Sequence, residues 1–217
     1  MNKNTVIAEA EAFVQDALEK ESSGHDWWHI VRVRNNAKHI FATEGGDWFV
    51  IELAALLHDV GDRKVIGKDE DDYTIAESFL TSQNVDIHIV EQVLYIIKNM
   101  SYSHSISNTV SDTPIEFQVV QDADRLDAIG AIGIARAFAF GGNRHRQLYD
   151  PTTKAKEYAS TKEYRQSESS TFHHFEEKLL HIKDLLNTTA AKSIASDRDQ
   201  YMRGFMTQFL DEWDGLK

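Results

Sequence analysis

Cysteine is absent from the 217-residue chain, which excludes disulfide scaffolds, thiolate zinc ribbons, thiol catalysis and c-type haem attachment. Proline occurs only 2 times and glycine 11 times, so little turn punctuation that a β-sandwich is disfavoured and long helices are expected. No apolar run nears the ~20 residues that a membrane span needs; the longest, residues 128–135, falls far short. Residues 1–20 (MNKNTVIAEAEAFVQDALEK) lack the unbroken apolar stretch of a signal peptide. The expected compartment is therefore the cytoplasm. Positive charge is also in deficit: 23 Lys and Arg against 35 Asp and Glu leave a formal net charge of −12. Such a surface repels phosphate backbones, so a nucleic-acid polymer is not expected as a partner, nor is a membrane. A small phosphorylated ligand stays open, because a bound cation and a few local basic groups can reverse the sign within one pocket.

What is present is ordinary for one globular domain: 41% apolar and 27% charged residues in a length that buries a sizeable core. Residues 4–20 carry Val6, Ala10, Phe13, Val14 and Leu18 on one stripe, a helical spacing. Asp26 is a suitable N-cap for a second helix reaching about Glu44, with His29, Val33, Asn36, Ala37 and Ile40 facing inward. Gly45-Gly46 stops it. Asp47 caps a third helix, residues 48–59, apolar nearly all round and so expected at the centre of a bundle, with Gly61 ending it. Residues 62–72 read as a polar loop, followed by helices over about 74–83 and 86–100 and a second loop over 101–113. Pro114 then opens a helix expected to run unbroken to Gly141-Gly142. Residues 142–170 are a long polar connection, either a functional lid or a segment with structure of its own. A helical hairpin closes the chain, with Phe172, Phe175, Leu179, Ile182 and Leu186 on one stripe and Tyr201, Phe205 and Phe209 on another. No alternation of strand type persists. The expected class is all-α, one domain over 1–217 with a core of about 20–140 and a C-terminal helical extension of about 150–217.

Chemistry concentrates in LLHDVGD, residues 56–62. A His-Asp doublet ending a strongly apolar helix puts an imidazole and a carboxylate where burial is costly without a partner or a metal. Adjacent helical residues point about 100° apart, so both can reach one ion from the same side and leave room for donors from elsewhere. His29, on the inward stripe of the second helix, and Asp124, inside QDADRLDA, are the candidates. Two nitrogens and two carboxylates without sulfur suit Mn²⁺, Fe²⁺, Co²⁺ or Mg²⁺ better than structural Zn²⁺. Mn²⁺ is the first expectation, with Ni²⁺ also open. Four protein ligands on an octahedral ion leave positions for a water of lowered pKa and for a phosphoryl oxygen.

The order His29, His58-Asp59, Asp124, with VGD directly after the doublet, resembles the HD superfamily of metal-dependent phosphohydrolases. The strings HDWWHIVRVRNNA, LAALLHDVGDRK, DADRLDAIGAIGIARAF and HFEEKLL resemble its small bacterial members over roughly residues 1–215. The resemblance implies an HD-type helical bundle, metal ligation by His29, His58, Asp59 and Asp124, and hydrolysis of a phosphoric ester or anhydride. Some of that group are nucleotide pyrophosphohydrolases, so the expected reaction takes a (deoxy)nucleoside triphosphate to the monophosphate and pyrophosphate. Asp62 falls where the related ppGpp hydrolases carry one acid of their catalytic pair, which implies a general base or a water-orienting group. Where that branch has its second acid this chain has Arg63, and its ADRLHN string is here ADRLDA, which argues against ppGpp. No GYP-type signature follows, which argues against cyclic di-GMP. A phosphomonoesterase acting on nucleoside monophosphates and a metal-stabilised nucleotide sensor are the alternatives.

Cations facing phosphate should come from loops. Lys64, Arg125 and Arg144 are the expected substrate-binding residues, with Arg63, Arg146 and Lys178 as further candidates. Asp122 rivals Asp124 but is expected at the surface, and Asp127 either pairs with Arg125 or lines the pocket. HDWWH distantly resembles the HExxH zinc-protease motif, but Asp26 is a methylene shorter than the required glutamate and no third ligand follows. His25 is then a pocket-edge or structural residue. His173 and His174 are expected on or beside a packing face, with His39, His88, His104 and His181 at the surface. Trp27, Trp28, Trp48 and Trp213 are expected in the core or at a subunit interface, and the apolar C-terminal stripes make a homodimer reasonable.

Overall fold

A computed structural model describes residues 2–19, 26–62, 66, 72–101, 113–156 and 169–217. Arg63, Lys64, His25 and His104 lie outside them. The described residues form nine α-helices and one 3-10 helix, with no strand. The all-α expectation holds. The chain divides into two compact units, Met1–Asp124 and Arg125–Lys217.

In the first unit α1 (Lys3–Leu18) starts at Asn2, whose side chain accepts from the Asn4 and Thr5 amides. α2 (Trp27–Glu44) starts at Asp26, whose carboxylate accepts from the His29 amide at 2.8 Å, and ends at Gly45. α3 (Trp48–Leu57) is capped by Asp47, and every residue from Phe49 to Leu57 is buried. α1, α2 and α5 (Ile87–Asn99) all pack on it, and α4 (Thr74–Ser82) packs on α5. α3 is the central rod of this unit, as its all-round apolarity requires. It ends two residues before the expected point: His58 is its C-cap and Asp59 lies in the turn that follows. α6 (Ile115–Asp127) completes the unit down to Asp124.

One polar device joins three of these helices. Arg34 of α2 donates from Nη1 to Glu11 of α1 at 2.6 Å and from Nε to Glu52 of α3 at 2.9 Å. Burial lowers the Arg34 pKa, but the bonds to Glu52 and Glu11 outweigh it and raise the net value. Glu52 is the one charged side chain on the buried face of α3, and the fork-shaped guanidinium is what makes its burial tolerable.

In the second unit the expected continuous helix after Pro114 is interrupted. α6 stops at Asp127 and α7 (Gly130–Asn143) begins three residues later. The amides of Ala128 and Ile129 turn back to the carbonyls of Arg125 and Leu126, and Gly130 takes φ +78°. A Cβ at Gly130 would sit 2.9 Å from Cγ of Arg198, so the break needs glycine both for its backbone angle and for space. The expected hairpin arm is likewise split, into α8 (His173–Glu177) and a 3-10 helix (Leu179–Leu185) separated by Lys178 at φ −143°. α9 (Thr189–Trp213) is the other arm. Phe172, Phe175, Leu179, Ile182 and Leu186 are all buried as their spacing predicts, whereas Tyr201 is exposed. Trp28 and Trp213 are also exposed, and Trp27 and Trp48 half-buried, so of the two expected places, core or subunit interface, none of the four occupies a fully buried core position. An aromatic cluster organises this unit, with Phe172 stacked on Phe209 at 4.6 Å and Tyr149 edge-on to Phe172 at 4.9 Å.

Arg34→Met should lower unfolding free energy by about 1–3 kcal/mol in urea titrations, because Glu52 keeps its burial and loses its counterion. A second expectation concerns His174, whose imidazole burial pushes down to about 3, assisted by the positive charges of Lys178 and Arg146. The folded ring refuses a proton that the unfolded one accepts. Its contribution is therefore complete above pH 6.5 and declines as pH falls from there toward about 3. Stability measured at several pH values across that window should fall less steeply in His174→Gln than in the parent.

Candidate metal centre

The site is assembled from three places in the first unit. The Asp26 cap starts α2 three residues before His29, and that ring is 1% exposed on the inward stripe. α3, locked by its buried surface, delivers His58 at its C-cap and Asp59 in the turn beyond. Asp124 comes from α6, whose position beside α2 is tied by Asn36 Nδ2 donating to the Ala123 carbonyl at 3.1 Å. Asn36 was legible as a polar residue on an inward stripe, but its tie to the residue before Asp124 joins segments 87 apart in sequence.

The donor atoms converge. His29 Nε2 lies 3.3 Å from His58 Nε2, 3.4 Å from Asp59 Oδ2 and 3.4 Å from Asp124 Oδ1. His58 Nε2 lies 3.5 Å from Asp59 Oδ2 and 3.9 Å from Asp124 Oδ1. Two donors each about 2.1 Å from a common ion stand about 3.0 Å apart at right angles and about 3.4 Å apart at the tetrahedral angle. The spacing is thus that of ligands around one ion, and His29, His58 and Asp59 form a group able to hold one.

The tautomer of His58 agrees. Its Nδ1 donates to the Ala55 carbonyl at 3.0 Å, which leaves the Nε2 lone pair of the neutral ring aimed at the other donors. At Asp124, desolvation would raise the carboxyl pKa. The hydrogen bond with His29 and the positive charge that His58 and His29 carry when protonated prevail over it and over the neighbouring Asp59, holding the group at about 2. The carboxylate form that a cation requires is therefore the stable one at neutral pH.

Gly61 shapes the turn after the doublet. Its carbonyl accepts from the Asp72 amide at 2.8 Å, and a Cβ there would sit 2.3 Å from the Asp72 carbonyl oxygen. Any larger residue at position 61 would push the returning chain away. Asp62 is half-buried, its amide donating to the Asp59 carbonyl at 3.1 Å and its carbonyl accepting from Ile66 at 3.0 Å. Asp122 is fully buried rather than at the surface, because α6 is enclosed on that side too.

Other expected residues fall in the second unit. Arg125 is buried, with Nη1 donating to the Leu185 carbonyl, a bond that ties α6 to the 3-10 helix. Arg144 is exposed, its guanidinium 5.4 Å above the Phe140 ring. Asp127 pairs with Arg136 at 2.6 Å rather than with Arg125, since α7 turns back past the end of α6. His173 is buried, while His39, His88 and His181 are exposed as expected. No helix among the described residues is long and apolar enough to cross a membrane.

The chain is similar to known proteins along nearly its whole length. The HD domain family matches residues 27–129, a span that contains all four donors. YpgQ of Bacillus subtilis is 37% identical over 206 residues, covering 94% of this chain and 92% of its own. Among solved structures, an HD-superfamily hydrolase from Bacillus thuringiensis is 43% identical with a TM-score of 0.78, over 99% of this chain and 100% of its own. A crystal structure of YpgQ in complex with ADP gives a TM-score of 0.77 at 34% identity, over 97% of this chain and 100% of that one. With that extent of likeness, and with the His-Asp doublet of α3 meeting His29 inside the matched span, the chain belongs to the HD superfamily of hydrolases.

Proposed function

We propose that the enzyme is a metal-dependent phosphohydrolase that splits (deoxy)nucleoside triphosphates into the monophosphate and pyrophosphate. The observation that carries this reading is the meeting of His58, Asp59 and Asp124 around His29, their donor atoms 3.3–3.4 Å from its Nε2, with His29, His58 and Asp59 forming a group able to hold an ion. A divalent ion held by these four supplies Lewis acidity toward a phosphoryl oxygen and lowers the pKa of a water. ADP in the related YpgQ crystal supports a nucleotide as the ligand class.

The chain's own residues have separable tasks in this reading. The Ala55 carbonyl holds the His58 ring in one tautomer. Asn36 fixes the backbone next to Asp124. Asp62, one turn past the doublet, orients the attacking water and accepts its proton. Lys64 offsets charge on the phosphate chain.

Incubation with a nucleotide panel and Mn²⁺, Mg²⁺, Co²⁺ or Ni²⁺, followed by ion chromatography, should yield monophosphate and pyrophosphate in equal amounts. Orthophosphate alone would replace this reaction with phosphomonoester hydrolysis, and tight nucleotide binding without product would make the protein a sensor. His58→Ala and Asp59→Ala should each take bound metal from near one ion per chain to near none by elemental analysis. Turnover should fall on the order of a thousandfold, the several kcal/mol that a metal contributes. Normal turnover in metal-free His58→Ala would overturn the reading.

A further inference from the structure

We infer, on the nucleotide reading of the site, that Trp28 is the platform on which the base stacks while the phosphates lie at the metal centre. It would then be the residue that favours a base-bearing phosphate over a bare one. Trp28 is 64% exposed in the first turn of α2, one residue before His29. Among the described residues its indole has no aromatic, cationic or hydrogen-bonding partner. Other tryptophans do: Trp48 tilts on Phe41 at 5.2 Å, and Trp213, though exposed, stacks on Phe209 at 6.2 Å and meets Tyr149 edge-on at 5.1 Å. Single exposed apolar residues are common, so it is location that assigns this one a role.

The four donors mark the open side of the centre. The side chains of His29, His58 and Asp59 are at most 8% exposed, whereas that of Asp124 is 35% exposed. Solvent, and hence a ligand, reaches the donors past Asp124, from the side where α6 lies. Two neighbours on α2 show which flank that is. Asn36 reaches the Ala123 carbonyl of α6, next to Asp124, while Arg34 reaches Glu11 of α1 and Glu52 of α3. On the 3.6-residue repeat Trp28 stands about 100° from His29, in the same sense as Asn36 and opposite to Arg34. Its Cα is one peptide, about 3.8 Å, from that of His29. The indole therefore borders the open edge of the centre rather than its sealed wall. A nucleotide with its phosphate chain at the donors must send its nucleoside out past Asp124, toward this flank. Every base has a π-face, so stacking there adds affinity without reading the base, and the larger purines gain more than pyrimidines.

Isothermal titration of ADP and, separately, of inorganic pyrophosphate into the Mn²⁺-loaded full chain tests this without calling on turnover. The unaltered chain should bind ADP more tightly than pyrophosphate. Trp28→Ala should weaken ADP binding about tenfold and leave pyrophosphate affinity unchanged, because a bare phosphate does not reach the indole. Trp28→Phe should keep most of the ADP affinity. Both variants should melt at the parent's temperature, since the side chain is exposed, which separates lost binding from lost folding. Parent-like ADP affinity in Trp28→Ala, or an equal loss for ADP and pyrophosphate, overturns the platform. So does a Trp28→Ala chain that sediments as a monomer where the parent is a dimer and still binds ADP as the parent does, since a second copy is then what covers the indole. ADP binding that depends on Trp28 in a chain that splits no nucleoside triphosphate would overturn the proposed reaction and leave the platform standing. Splitting of nucleoside triphosphates with an unchanged KM in Trp28→Ala would do the reverse.

Discussion

Everything in the first unit answers to the cost of keeping ionisable groups away from water. His29 and Asp59 are buried, and Asp59 stands at the end of a helix whose residues from Phe49 onward are sealed in the core. Taken singly, a desolvated carboxylate or imidazole would shift its pKa toward neutrality or open the structure. Taken together they compensate one another, and Asp124 is held as the anion by the imidazoles that face it. A divalent cation is the most economical completion of such a group, since one ion satisfies every lone pair that the side chains direct inward.

The scaffold around the centre is stiff for reasons visible residue by residue. Asp26 and Asp47 start α2 and α3 by accepting from the amides of His29 and Phe49. Arg34 clamps α1, α2 and α3 through two glutamates. Asn36 fastens α2 to the backbone of α6. Gly61 lets the chain from Asp72 return against the turn that follows the doublet. Each contact restrains one of the segments bearing a donor, so the donors meet without needing the ion to gather them.

The second unit has a different internal logic. An aromatic cluster of Phe138, Phe172, Phe175, Phe205 and Phe209 runs beside aliphatic core residues such as Leu179, Ile182 and Met202. Buried Asp199 accepts from Lys183 and Arg203, each at 2.9 Å, and so ties the 3-10 helix to α9. Two cations here thus offset the burial of one acid.

Local patterns were enough to read much of this protein. The caps at Asp26 and Asp47, the all-round apolarity of α3, the helices beginning near residues 74 and 87, and the buried stripe from Phe172 to Leu186 follow from short-range spacing, which one chain segment carries by itself. So did the suspicion that a His-Asp doublet at the end of a buried helix has chemical work to do. Other features required distant segments to meet. The break at residues 128–129 depends on a glycine with a left-handed backbone angle and on Arg198 lying where a side chain would be. The choice between Asp122 and Asp124 is a matter of which face of α6 is turned to His29: the former is fully enclosed, the latter 3.4 Å from the imidazole. Periodicity reports which side of an element avoids water. Which atoms share a few ångströms with a partner a hundred residues away is decided only by packing.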